Sequence, residues 1–128
     1  MIAHIGIIVS DIERSKSFYR AALEPIGYQL IREYCVTSSR PAASAGFGVP
    51  PRADLWLYQA TSGLYTTHIA FQVEKPELVD AFYEAALAAG GRDNGKPGIR
   101  PLYSANYYGA FVLDPDGYNI EAMCRQAE

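Results

Sequence analysis

The stretch "HIGIIVSDIERSKSFYRAALEPIGY" occupies His4 to Tyr28, and 64 residues later the chain writes "HIAFQVEKPELVDAFYEAALAAGGR", His68 to Arg92. Laid over each other without a gap, the two segments agree at ten positions: His4/His68, Ile5/Ile69, Val9/Val73, Glu13/Glu77, Phe18/Phe82, Tyr19/Tyr83, Ala21/Ala85, Ala22/Ala86, Leu23/Leu87 and Gly27/Gly91. Self-similarity at a fixed offset marks an internal repeat. The sequence therefore reads as one module written twice, over about 1–60 and 65–128.

Each copy begins with a strand and continues as a helix. Alternation at period two places Ile5, Ile7 and Val9 on one face and His4, Gly6 and Ile8 on the other; in the second copy Ile69, Phe71 and Val73 oppose His68, Ala70 and Gln72. The first helix is predicted to start at Ser10, with Glu13 completing a capping box, and to end before Pro25 and Gly27. The second is predicted to open at Pro76 and stop at Gly90-Gly91. Apolar stripes of Ile12, Ser15, Tyr19, Ala22 and Leu23, and of Val79, Phe82, Ala86 and Leu87, would cover the Ile5 and Ile69 faces of the strands. The histidine faces are then left free to line a concavity.

Shorter β signals follow each helix: "YQLIREYCV", "FGV" and "DLWLYQ" in the first copy, "YYGAFVL" and "YNIEAMC" in the second. Asp114-Pro115-Asp116-Gly117 suits a tight reversal between the last two. The Ser/Ala/Gly/Pro-rich segment 37–53 and "DNGKPGIRPLYSAN" (93–106) read as loops over the rim. In the final strand Ile120, Ala122 and Cys124 share one face, and Asn119, Glu121 and Met123 the other. Glu121 is thus a carboxylate in an apolar strand, a residue type rarely buried without a partner.

Composition removes several function classes. The 128 residues carry 49% hydrophobic residues and a net charge of −3, which suits one domain with a real core. No basic stripe exists to release counterions from a nucleic acid. No apolar run approaches the ~20 residues of a membrane-spanning helix, and no signal-like segment opens the chain, so a cytoplasmic location is expected. Two cysteines, Cys35 and Cys124, do not make a disulfide framework and are expected to be unpaired.

The doubled βαβββ pattern, together with "HIGIIVSDIERSKSFYRAAL", "THIAFQV" and above all "GAFVLDPDGYNIEAMC", resembles the vicinal oxygen chelate superfamily over essentially the whole chain. That superfamily includes glyoxalase I, extradiol dioxygenases, fosfomycin-resistance thiol transferases and bleomycin-resistance proteins. The resemblance implies a single α+β domain of two tandem βαβββ modules, an eight-stranded open mixed sheet curved around a cup, with the helices outside. Metal-binding members take ligands from the first and last strands of each module. Carried over by position, this implies His4, His68 and Glu121 as ligands of a divalent ion, Zn, Ni, Mn or Fe. The fourth place falls in "DLWLYQ", where the sequence departs from glyoxalase I and offers Trp56, or Leu57 if the match slips by one, neither of which can ligate; Asp54 shares the strand parity of Trp56 but lies two residues away.

The remaining candidates surround that set. Trp56 reads as a packing or stacking residue walling the cup. Tyr103, Tyr107 and Tyr108 are either sheet aromatics or pocket lining, and a phenol beside Glu121, with Tyr108 as the candidate, can hydrogen-bond to or protonate a bound oxygen. Arg100 is either solvated or a partner for an anionic substrate. Three function classes stay open. One is a glyoxalase-like metal-dependent enzyme acting on a small oxygenated molecule, with the metal as Lewis acid and Glu121 at the chemistry. The second is an extradiol-dioxygenase-like or thiol-transferase-like enzyme. The third is a metal-free binding protein similar to bleomycin-resistance proteins. Since small two-module relatives pair, a homodimer is expected.

Overall fold

The structure of the chain, a computed structural model, describes residues 2–61, 63 and 66–125. The outermost residues of the two predicted repeats, 1, 65 and 126–128, lie outside them. The first half contains β1 (Ile5–Val9), α1 (Ile12–Leu23), a single 3-10 turn at Glu24–Ile26, β2 (Gln29–Tyr34), β3 (Ser44–Gly48) and β4 (Leu55–Gln59). The second contains β5 (His68–Gln72), α2 (Pro76–Ala88), β6 (Arg92–Ile99), β7 (Tyr107–Leu113) and β8 (Asn119–Arg125). The fold is α+β, a βαβββ unit built twice.

The strands do not form one eight-stranded sheet. They form two four-stranded ones, ordered β1-β4-β3-β2 and β5-β8-β7-β6, each with one parallel and two antiparallel pairings. β1 and β5 are therefore edge strands of separate sheets. Alternation follows the sequence except at Ile5, which is 38% exposed: Ile7, Val9, Ile69 and Phe71 are buried, while His4, Gly6, His68, Ala70 and Gln72 lie on the accessible side. The buried faces and the apolar stripes of both helices merge into one core that includes Phe18, Leu57, Phe82, Ile120 and Cys124. Cys35 is exposed and Cys124 buried, and both are free thiols. No helix among the described residues is long and apolar enough to cross a membrane.

Two local predictions need correction. The cap of α1 is Asp11, not Ser10: its Oδ1 accepts the Glu13 and Arg14 amides at 3.1 Å, the bond that a capping carboxylate makes to otherwise orphaned helix donors. Ser10 instead donates its amide to Asp116 Oδ2 at 3.0 Å. The segment beginning at Asp93 is not all loop, because 92–99 form β6. Gly95 and Pro97 are tolerated there because β6 is an edge strand whose ladder is broken by two register shifts, at Asp93/Gly95 and Gly95/Gly98.

The turn at 114–117 also ties the halves together. Gly117 adopts φ 84°, and its amide closes on the Asp114 carbonyl at 2.9 Å. The Asp114 side chain, 2% exposed, accepts the amides of Asp116 (2.9 Å) and Tyr118 (2.8 Å) through Oδ1 and the phenol of Tyr19 in α1 (2.6 Å) through Oδ2. The Tyr118 hydroxyl reaches across to the Ile8 carbonyl of β1. A carboxylate this deep is tolerable only when its lone pairs are occupied.

Tyr19→Phe deletes one donor and should cost about 1–3 kcal/mol at neutral pH, read by chemical denaturation. Burial already pushes the Asp114 carboxyl above its ordinary value, and the Tyr19 bond pulls it partly back. Removing that bond raises it further. A raised carboxyl favours the fold when protonated, so the deficit of Tyr19→Phe should shrink as pH falls through the folded-state pKa of Asp114. A deficit that grows on acidification contradicts this assignment.

Candidate functional site

The accessible face of the second sheet carries a polar cluster. β5 runs parallel to β8 with Ala70 opposite Glu121, and β7 runs antiparallel to β8 with Phe111 opposite Glu121. Glu121 is only 3% exposed, and its Oε2 lies 3.2 Å from His68 Nε2. The Tyr107 hydroxyl donates to Glu121 Oε1. Gly109 makes room for this, since a Cβ there would stand 3.2 Å from the Tyr107 ring and 3.3 Å from Glu121 Oε1. Burial first, and the Glu121 bond second, push the Tyr107 phenol up to about 12, so it remains a donor at neutral pH.

The tautomer of His68 follows from its other nitrogen. Nδ1 lies 3.0 Å from the Asn119 carbonyl, which can only accept, so Nδ1 carries the proton. In the neutral ring the lone pair then sits on Nε2, facing Glu121. Two lone-pair atoms 3.2 Å apart attract only through a cation between or beside them, either a proton or a metal ion. With metal–ligand bonds of about 2.0–2.2 Å, two ligands of one small divalent ion stand at about this separation. The backbone hydrogen bond that fixes the ring is the support expected of a ligating histidine. Phe111 lies against the imidazole at 6.4 Å and 26°. The hollow above, about 660 Å³, is rimmed by Leu102, Tyr103 and Arg125. Tyr103 meets Tyr107 edge-on at 5.0 Å.

The first sheet carries an aromatic counterpart. Trp56 pairs with Gly6 in the parallel β1/β4 ladder as Glu121 pairs with Ala70 in β5/β8, so the indole stands where the second half places its carboxylate. Trp56 stacks on Tyr34 at 5.9 Å and 10°, and the Arg40 guanidinium lies 3.6 Å from the centre of the Tyr34 ring. His4, Ser44 and Tyr58 share this hollow of about 570 Å³. His4 also lines a crevice of about 320 Å³ with Asp54, Ala70 and Gln72, whereas His68 and Glu121 line the hollow of the second sheet. Among the described residues no three His, Cys, Asp or Glu side chains gather as a ligand group. One chain thus brings His68 and Glu121 together and keeps His4 apart.

The phenol beside Glu121 belongs to the neighbour of the residue expected there. Tyr107, not Tyr108, reaches Glu121; Tyr108 sits on the opposite face of β7 and donates to Asp80 of α2 at 2.7 Å. The Asp80 bond, and burial after it, push the Tyr108 phenol up to about 12. Arg100 holds the Lys96 carbonyl at 2.5 Å and lies 5.5 Å from the Phe111 ring, just behind the second hollow. Sequence reasoning did not single out Phe111, Asn119, Arg125, Tyr34 or Arg40. Strand parity with Glu121 marks Asn119 and Arg125 as candidates, whereas Arg40 lies in a loop that has no periodicity.

The model of the Glyoxalase/Bleomycin resistance protein/Dioxygenase superfamily matches residues 1–122. The chain belongs to that superfamily. Among solved structures, it is similar to a glyoxalase/bleomycin resistance protein from Albidiferax ferrireducens T118, at 28% identity and a TM-score of 0.72 over 97% of this chain and 98% of that one. A glyoxylase/bleomycin resistance protein/dioxygenase domain from Frankia sp. EAN1pec shares 18% identity and a TM-score of 0.76 over 98% of both chains. A V278E variant of glyoxalase I from Zea mays shares 23% identity and a TM-score of 0.71 over 99% of this chain but 45% of the maize chain. The last two show likeness of fold alone. No curated protein matches the sequence.

In this member of the superfamily Tyr108 has a structural task. Tyr108→Phe should lower stability by about 0.5–1.5 kcal/mol in denaturant unfolding and remove one tyrosinate transition near pH 12 from the alkaline absorbance titration. Its folded pKa is raised, so the contribution is full below about 10 and is lost as pH rises through about 12. Loss of an ordinary transition near 10 contradicts the placement.

Proposed function

We propose that the protein is a glyoxalase-like metal-dependent enzyme acting on a small oxygenated molecule, in which His68 and Glu121 of one copy and His4 of a second copy hold one divalent ion. The observation that carries the reading is the pair His68 Nε2 and Glu121 Oε2 at 3.2 Å, with the imidazole tautomer fixed by Asn119. A Zn, Ni, Mn or Fe ion held there supplies Lewis-acid stabilisation of negative charge on adjacent substrate oxygens. Tyr107 keeps its proton on Oη and occupies Glu121 Oε1, which turns Oε2 toward His68. Phe111 shields the imidazole from water on one side. Trp56, in the place of a second carboxylate, walls the other half of the site and supplies no base, which disfavours glyoxalase I chemistry itself.

The distribution of the candidate ligands supports a role for a second copy. Among the described residues β1 pairs only with β4 and β5 only with β8, so each leaves a backbone edge free beside its histidine. Ile8 at 39%, Tyr103 at 62% and Leu102 at 98% exposure leave large apolar side chains open to solvent. A homodimer that sets the first half of one copy against the second half of the other brings His4 to the His68–Glu121 pair.

Calorimetric titration of chelator-treated protein with Ni(II) or Zn(II) tests the ligand set. Glu121→Gln, His68→Ala and His4→Ala should each weaken binding by more than about tenfold, since each deletes a direct ligand where loss of an outer-shell partner alone costs about 10–100-fold. Undiminished affinity in Glu121→Gln and His68→Ala overturns the reading.

A further inference from the structure

We propose that the hollow of the first sheet is a platform for a planar, π-conjugated anion, with Trp56 receiving its ring and Arg40, held on the Tyr34 face, its negative charge. The proposal rests on the reading of the accessible sheet faces as the substrate-binding surfaces, and it needs no metal. It names the chemical class of the molecule that this site takes.

The floor of the hollow is flat for a local reason. Gly46 of β3 is the register partner of Trp56, and a Cβ there would stand 2.9 Å from two atoms of the indole's six-membered ring. The absent side chain lets the indole settle over the strand backbone. Gly6 of β1 does the same for Tyr58, whose ring a Cβ would meet at 2.7 Å. Tyr34, from the end of β2, lies within 10° of the indole plane. Three aromatic side chains thus line one wall of a hollow of about 570 Å³, room for a single- or double-ring compound.

Arg40 is positioned by its loop. The amide of Thr37 donates to the Arg40 carbonyl at 2.8 Å, and the amide of Arg40 donates back to the Thr37 carbonyl at 3.2 Å and to its hydroxyl at 3.1 Å, closing a tight turn at the hollow's mouth. The guanidinium then lies 3.6 Å from the Tyr34 ring centre. Stacked on a phenol and exposed to the hollow, it keeps its planar fork of donors for a carboxylate. Among the described residues no carboxylate pairs with Arg40, whereas Arg14 and Lys16 both have one. An aromatic floor beside a stacked guanidinium discriminates by planarity and charge together.

Trp56 is the chain's single tryptophan, so its emission reports the site directly. Chelator-treated full-length protein is titrated with trans-cinnamate, with cyclohexanepropanoate as the saturated anion and with cinnamyl alcohol as the planar neutral compound, by calorimetry and Trp56 emission. Cinnamate should bind about tenfold or more tightly than either comparison compound and shift the emission. Arg40→Gln, a change at an exposed loop position, should weaken cinnamate about tenfold and leave cinnamyl alcohol unchanged. Gly46→Ala, which lifts the indole, should weaken both planar compounds. Equal affinity for cinnamate and its saturated counterpart, or no cinnamate binding at millimolar concentration, overturns the proposal. Because metal is absent throughout, failure of the ligand set proposed above leaves this result standing, and a protein that binds metal but not cinnamate refutes the platform alone.

Discussion

A buried carboxylate decides how the two halves of this chain can be used. Asp114 sits in the turn between β7 and β8 and accepts the Tyr19 phenol of α1, while the next residues of the same turn hold Ser10 and the end of β1. Removing this group from water is costly unless every lone pair is met, so the turn and α1 are locked in one relation. Arg14 adds a partly solvated ion pair to Asp116 at 3.4 Å, which contributes little by comparison. With the halves joined along their core faces, the opposite faces carry two unlike clusters, His68 with Glu121 and Tyr107 in one half and Trp56 with Tyr34 and Arg40 in the other.

The half-sites differ because duplication preserved geometry and released side-chain identity. The ladder partners Gly6–Trp56 and Ala70–Glu121 occupy corresponding places, and so do His4 and His68 at the strand starts. One half kept a carboxylate supported by Tyr107 and an imidazole supported by Asn119; the other carries an indole stacked on a phenol. The first arrangement suits a cation and the second suits a ring. A molecule bound between such faces meets charge at one end and π surface at the other.

Much of this was legible in the sequence, and the failures have physical causes. The repeat offset, the strand parity and the helix stripes follow from periods of 2 and 3.6, which local sequence carries. The equivalence of Trp56 and Glu121 was readable only to within one residue, because the offset of 64 sets Leu57 opposite Glu121 and the strand register moves the match to Trp56. β6 was missed because Gly95, Pro97 and Gly98 mark loops everywhere except in an irregular edge strand, and edge status is a tertiary property. Tyr108 rather than Tyr107 was expected beside Glu121 because the phase of β7 is set by its register with β8, Tyr107 opposite Arg125, and not by its own composition. The separation of His4 from the His68–Glu121 pair depends on how the halves pack, which alternation cannot specify.

Subunit complementation tests the composite site most directly. Purified His4→Ala and Glu121→Gln proteins, each carrying a different affinity tag, are mixed, allowed to exchange, and the doubly tagged heterodimer is isolated. If His4 of one copy completes the His68–Glu121 pair of the other, one site of the heterodimer carries both lesions and the other carries none. Metal binding should then return with the affinity of the unsubstituted protein at one ion per heterodimer, although each variant alone binds more than about tenfold more weakly. A heterodimer that binds no better than its parents contradicts a site shared between copies.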